Sequence, residues 1–151
     1  MKTKESMKNE IFTLESRELN EGKKVAFIAG AINRDIKKAN VKAKMKSITE
    51  CGQLSELEVG DGENAVSLKD PMSGLPIDKE KAKEYLAIID GQHRYMAIMA
   101  LREEDRCGKK KYEEAARKWQ KNGRNEEDKP QEYTPKAPAH IKARYPLNNE
   151  I

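Results

Sequence analysis

Chemistry concentrates in one short stretch, Ile88-Ile89-Asp90-Gly91-Gln92-His93-Arg94-Tyr95-Met96-Ala97. An apolar run meets a glycine and passes straight into a second apolar run of helical character. The first N–H groups of a helix that starts there have no intrahelical partner, and the helix dipole places partial positive charge on them. Gly91 lets a ligand approach the backbone and adopts angles that a Cβ opposes. Arg94 adds a planar, permanently charged fork suited to phosphate. His93 supplies a second donor or a proton carrier near neutral pH. Together these residues predict an anion cradle. Asp90 is the carboxylate of the stretch, either a cap for the helix or a candidate catalytic group.

Such a cradle needs a strand before the bend and a helix after it. Tyr85 to Ile89 is a compact apolar run that reads as a buried strand, and Tyr95 to Leu101 as a helix apolar almost all round, closed by Glu103-Glu104-Asp105. Met96 and Met99 belong to that core helix. Glu10–Leu14 and Lys24–Ala29 read as strands joined by the turn Asn20-Glu21-Gly22-Lys23. Next comes a helix in which Asn40 is the expected cap, Val41, Met45 and Ile48 form the apolar stripe, and Gly52 is the stop. Leu54–Val59 reads as a strand with Leu57 and Val59 on one face and Glu56 and Glu58 on the other. Residues 60–79 form a long excursion of the kind that is functional or mobile, and Lys79–Lys83 a turn of helix capped by Asp78. A further helix fits Lys110–Lys121, where Tyr112, Ala115, Ala116 and Trp119 recur and Gly123 ends the pattern. Tyr112 and Trp119 are expected to dock on the core rather than to stack on bases.

Composition narrows the class. Charged residues make up 37% of the 151 and hydrophobic ones 36%, which predicts a small core under a polar surface. The net charge of +4 is unevenly spread: residues 1–50 carry +5, residues 51–101 carry −4 and residues 102–151 carry +3. Lys37, Lys38, Lys42, Lys44 and Lys46 form the densest basic stretch, either a phosphate-attracting patch or a solvated helix face. No apolar run approaches the roughly 20 residues of a membrane span, and the charged start lacks a signal core. Cys51 and Cys107 cannot build a disulfide framework, and Cys51 reads as a small half-buried residue. His140 has no companion at metal spacing, so no metal site is expected. The expectation is a cytoplasmic protein without a membrane partner.

The order of these pieces resembles the ParB/sulfiredoxin superfamily over roughly residues 24–103. The first box of that superfamily has an Arg, a short helix ending in Ser-Ile, a Gly and a strand. It is matched by Arg34, Ser47-Ile48, Gly52 and the run to Val59. The second box is a strand followed by Gly-Glu-Arg-Arg-x-x-Ala in ParB-type proteins or Gly-Cys-His-Arg in sulfiredoxins. Here it is Gly91-Gln92-His93-Arg94-Tyr95-Met96-Ala97, and Asp90-Gly91-Gln92-His93-Arg94 is similar to the DGQHR variant of proteins linked to DNA modification and mobile elements.

The resemblance implies a compact α/β (α+β) domain, a small mixed sheet against about three helices, over residues 10–123. A disordered start (1–9) and a Pro-rich extended tail (124–151) would flank it. It implies that Gly91, Gln92, His93 and Arg94 bind the phosphates of a nucleotide, with Ser47 and Arg34 reaching the same pocket and Mg²⁺ accompanying a triphosphate. Gln92 departs from both patterns. A neutral amide is neither a general base nor a nucleophile, so sulfiredoxin chemistry is not expected, and any hydrolase or phosphotransferase step would fall to Asp90, Glu56 or Glu58. The implied setting is bacterial DNA maintenance, plasmid or mobile-element biology. DNA is the alternative partner, through backbone binding or a nuclease-like activity, and a homodimer is the expected assembly where one forms.

Overall fold

The computed structural model describes residues 11–28, 37–53, 55–65 and 67–145. In chain order its elements are β1 (Phe12–Thr13), α1 (Leu14–Glu21), β2 (Lys24–Ile28), α2 (Lys38–Cys51), β3 (Leu57–Asp61), β4 (Leu68–Lys69), β5 (Pro76–Ile77), β6 (Tyr85–Asp90), α3 (Gln92–Lys121) and β7 (Lys142–Arg144). Short 3₁₀ turns lie at Gly62–Asn64, Lys79–Glu84 and Glu126–Asp128. The fold is mixed α/β: the strands form one mixed sheet in the order β1-β7-β3-β6-β2-β4-β5.

The run that reads most apolar, β6, lies at the middle of that sheet. It pairs parallel with β2, Val25 beside Leu86 and Phe27 beside Ile88, and antiparallel with β3. Alternation places Val25, Phe27, Leu57, Val59, Leu86 and Ile88 in one cluster with Ile98 and Leu101 of α3 and Ile48 of α2. Each such side chain contributes on the order of 1.5–3 kcal/mol by burial. Met96 and Met99 pack against the same cluster, as expected. The opposite face is made of small residues, Ala26, Ala87, Ala65 and Ala82 with Leu68. No helix among the described residues is long and apolar enough to cross a membrane.

Several elements differ from expectation. Leu14 does not extend a strand but opens α1. Thr13 caps that helix by accepting from the Ser16 N–H (3.3 Å), and the helix closes at Gly22. The helix over the lysines begins at Lys38, with Lys37 at the cap position and no side-chain cap among the described residues, so Asn40 lies inside it. β3 begins at Leu57, and Leu54 lies outside the described residues, as does the start over 1–9. The 60–79 excursion is partly sheet: β4 pairs with β2 and β5 with β4. Asp70 organises the turn between them, accepting from the N–H groups of Met72 (3.1 Å) and Ser73 (2.8 Å). Asp78 makes no side-chain cap to the 3₁₀ turn after it.

The largest differences concern the C-terminal half. The two helices expected over Tyr95–Leu101 and Lys110–Lys121 are one continuous helix of 30 residues, about 45 Å long. Glu103-Glu104-Asp105 does not end it, because the Asp105 carboxylate is used elsewhere. It accepts from the Tyr133 hydroxyl (2.7 Å) and from the N–H groups of Lys136 (2.9 Å) and Ala137 (3.0 Å). Gly108 is tolerated mid-helix because a Cβ there would collide with the Tyr133 ring. The Pro-rich segment is tied to α3 where Tyr133, Lys136 and Ala137 meet Asp105, and its end enters the sheet as β7, parallel to β3 and antiparallel to β1, and buries Ile141, Ala143 and Tyr145. Trp119 does not dock on the core: its indole N–H donates to the Asn125 carbonyl (2.6 Å) and fixes the reversal after α3. Cys51 is exposed rather than half-buried.

Candidate functional site

The parallel strands β2 and β6 end side by side, and in open α/β sheets the carboxyl ends of the strands are where ligands bind. β6 stops at Asp90 and α3 starts at Gln92, so the bend is one residue, Gly91, at φ +104° and ψ +21°. The first helical bond runs from the Tyr95 N–H to the Gly91 carbonyl (2.9 Å), and no side chain among the described residues caps the start of α3. Asp90 is therefore not the cap that its position suggested. Gly91 also differs from expectation in what its bareness serves. The space a Cβ would take is filled by the Leu57 side chain and lies 2.9 Å from Nη2 of Arg94, so that side of the glycine faces its own protein.

Arg94 folds back over the bend. Its Nη2 donates to the Glu56 carbonyl at 3.4 Å and lies 3.7 Å from Asp90 Oδ2. Its Nε is buried without a hydrogen-bond partner among the described residues. An unmet buried donor costs on the order of 1–3 kcal/mol, more when charged, so this N–H is a standing demand for an acceptor. Asp90 is 70% exposed and serves as the ionic neighbour of Arg94.

Gln92 turns its amide backwards, Nε2 donating to the carbonyls of Ile88 (3.2 Å) and Ile89 (3.4 Å). His93 turns toward α2: its Nε2 accepts from the Lys37 N–H at 3.2 Å, which puts the ring proton of the neutral form on Nδ1. Burial, and then the Lys44 and Lys37 charges, hold its pKa below the ordinary histidine value. His93 is thus an acceptor here and does not close over an anion through Nε2. Because Lys37 is the cap position of α2, this bond brings the N-termini of α2 and α3 together. Each helix start carries about half a positive charge.

Lys37 and Lys44 are the parts of this arrangement that sequence reasoning did not single out from the other lysines. Seven residues apart, they flank the Val41–Met45–Ile48 stripe on the same side, and that spacing was the available signal. Ser47 is half-buried on α2 and makes no hydrogen bond among the described residues, so nothing ties it to the bend. Arg34 lies outside the described residues.

The donors present, the start of α3 and the buried Arg94 Nε, have no acceptor side chain among the described residues and are of the kind that an anion takes. Among the described residues there is no group of three or more His, Cys, Asp or Glu that could hold a metal ion. Two roomy clefts lie elsewhere. One of about 570 Å³ runs along the far end of α3, lined by Glu114, Arg117, Lys118, Gln120 and Lys121. Another of about 530 Å³ runs between Arg102, Arg106 and Lys109 of α3 and the 135–139 segment. Neither combines an open helix start with an unmet donor, so volume does not mark the chemistry. No protein-family model matches the chain, and no curated protein or solved structure matches it either.

Proposed function

We propose that the chain is a ParB/sulfiredoxin-like domain that binds a nucleotide, or another phosphate-bearing ligand, where α3 starts. The observation that carries this reading is the buried Nε of Arg94, a charged donor with no acceptor among the described residues, beside a helix start that no described side chain caps. The meeting of the α2 and α3 N-termini supports it, because two helix dipoles and the charges of Lys37 and Lys44 make the same corner electropositive. Phosphate oxygens would sit on the amides of the Gly91-Gln92-His93-Arg94 turn with Arg94 swung from Glu56 to meet them. Any Mg²⁺ would ride on the phosphates of the ligand. Turnover is not part of the reading: Gln92 spends its amide on backbone carbonyls, and Asp90 is engaged with Arg94. The setting we infer is a bacterial cytoplasm and the maintenance of plasmid or mobile DNA.

The test is calorimetry with nucleoside di- and triphosphates, with and without Mg²⁺, on the parent and on Arg94→Ala. A triphosphate should bind the parent, and the variant should lose at least about tenfold in affinity, the worth of one charge-assisted contact. No binding of any of them by the parent refutes the reading.

One observation favours a second reading, a DNA backbone on α2. Lys38, Lys42 and Lys46 are exposed at i, i+4 and i+8, and none forms an ion pair among the described residues. That reading requires duplex binding that weakens steeply with salt and is indifferent to Arg94→Ala.

A further inference from the structure

Gln92 stands at a position where the backbone has lost its regular order. The β3–β6 ladder pairs Val59 with Ile88 and then Glu58 with Asp90, so Ile89 is the extra residue of a bulge. Bulges bend a strand and re-aim the chain beyond them, and they disturb the hydrogen bonding of the ladder locally. Here the bulge falls two residues before Gly91. The Gln92 side chain reaches back over that interval, and its Nε2 donates to Ile88 O at 3.2 Å and to Ile89 O at 3.4 Å. The first residue of α3 is thereby fastened to the end of β6 across the glycine, the one joint whose backbone could otherwise pivot.

We propose that Gln92 is a positioning residue, whose side-chain amide holds the β6–α3 bend at the angle that aims the α3 amides, and that it does so by donating hydrogen bonds to the end of β6. Two carbonyl oxygens offer lone pairs and no proton. Glutamine meets them with N–H groups. An ionised glutamate of the same length would set a carboxylate against both carbonyls, whereas a protonated glutamate recovers one donor. Methionine keeps the length and offers no donor. The consequence for binding rests on the phosphate reading; the geometry of the bend does not.

The charged and titratable groups of the bend and its neighbours are Asp90 on β6, Glu58 opposite it on β3, Arg94 on α3, which donates to the Glu56 carbonyl, and His93 on α3 with Lys37 and Lys44 of α2 beside it. His93 titrates in the parent too, so the parent profile is the baseline for every variant.

The experiment measures amide hydrogen exchange at the Tyr95 N–H, which bonds the Gly91 carbonyl across the bend. Parent, Gln92→Met and Gln92→Glu are compared from about pH 7.5 to about pH 4.5, a range spanning the titration of a carboxyl raised above its usual value of about 4.3. Protection should fall about tenfold in Gln92→Met at every pH, the loss of one to two net hydrogen bonds. In Gln92→Glu it should fall at least as far at the neutral end and return to within about threefold of the parent at the acid end, as the side chain regains a donor. Because that recovery is read within one folded sample, a general loss of stability cannot imitate it. Parent-like protection in Gln92→Met, or a Gln92→Glu profile parallel to that of the parent, overturns the assignment. Inorganic tripolyphosphate serves as probe in parallel. Affinity that tracks the exchange profile supports both statements. A profile that behaves as expected while tripolyphosphate binds none of the three proteins keeps the positioning role and removes the phosphate reading.

Discussion

Asp105→Asn changes one atom of a buried side chain and tests what holds the C-terminal strap, residues 133–145, to the body. Asp105 is 8% exposed, and what shelters it is the strap itself. Oδ1 accepts from the Tyr133 hydroxyl (2.7 Å) and the Lys136 N–H (2.9 Å), and Oδ2 from the Ala137 N–H (3.0 Å). Asparagine keeps the Oδ1 pair but points an NH₂ at the Ala137 N–H, donor against donor; flipped, it faces two donors. The better orientation leaves one sheltered backbone N–H unmet, and the other two bonds lose their charge. The expected destabilisation is about 2–3 kcal/mol, a fall in Tm of about 5–10 °C for a chain of this size. Unfolding should stay cooperative, because the strap delivers Ile141, Ala143 and Tyr145 to the core. Thermal and urea melts recorded by far-UV circular dichroism and Trp119 fluorescence measure this. Burial pushes the Asp105 carboxyl up, but the bonds from Lys136, Ala137 and Tyr133 outweigh it and hold the pKa below the ordinary value. Its stabilisation is therefore full above the unfolded value of about 3.9 and lost as pH falls through the lower folded value. The gap between parent and variant should narrow there. A neutral-pH Tm within about 1 °C of the parent would refute the reasoning, since even one unmet buried donor exceeds that.

Gly108→Ala should destabilise by about 1–3 kcal/mol despite alanine's better helix propensity, because its Cβ meets the Tyr133 ring. Adding Gly108→Ala to a Tyr133→Ala background should instead be neutral or stabilising in the same melts. Glu15→Gln should cost about 1–3 kcal/mol at neutral pH, since the carboxylate accepts from the Ile141 N–H with both oxygens and pairs with Arg102. Burial raises the Glu15 pKa, but the Arg102 and Ile141 bonds lower it further, so this effect too should fade as pH falls below the ordinary glutamate value; persistence in acid would count against it.

Legibility tracked how local the cause was. β2, β6 and the helix after Gly91 were readable because an apolar run, a glycine and a second apolar run are enough to specify strand, bend and helix. α1 was missed although its signals are present: Thr13 caps, Glu15 stands in the first turn and Gly22 closes. In eight residues these were outweighed by the β-prone Ile11-Phe12-Thr13 just before them. The continuity of α3 was not readable, because Gly108 and the acidic run mimic a stop. Only the distant Tyr133 and the strap explain why both lie inside a helix. β7 was hidden for the same reason, three residues whose strand character comes from partners in β1 and β3. At the candidate site the chemistry of Gly91 and Arg94 was legible, while the meeting of α2 with His93 needed the tertiary structure.

The strap also bears on the bend. Leu57, fully buried, fills the space where Gly91 lacks a Cβ, and in the sheet register Leu57 lies beside Ala143 of β7. The backing of the cradle is therefore set by a strand far downstream in sequence. Leu57→Ala should open a cavity costing about 2–5 kcal/mol. It should also remove the wall against which the Arg94 guanidinium is folded, since that guanidinium and Leu57 crowd the same face of Gly91. The Arg94 Nε–H, buried and without a partner among the described residues, is the probe. Its solvent exchange, measured by NMR of arginine-labelled protein, should accelerate in Leu57→Ala well beyond the change at the Tyr95 amide, because the side chain gains freedom while the first helical bond persists. Equal acceleration at both sites would mean that the whole bend had loosened. No acceleration at Nε would mean that Arg94 is held by Glu56 and Asp90 alone, and that the packing of Leu57 plays no part in placing it.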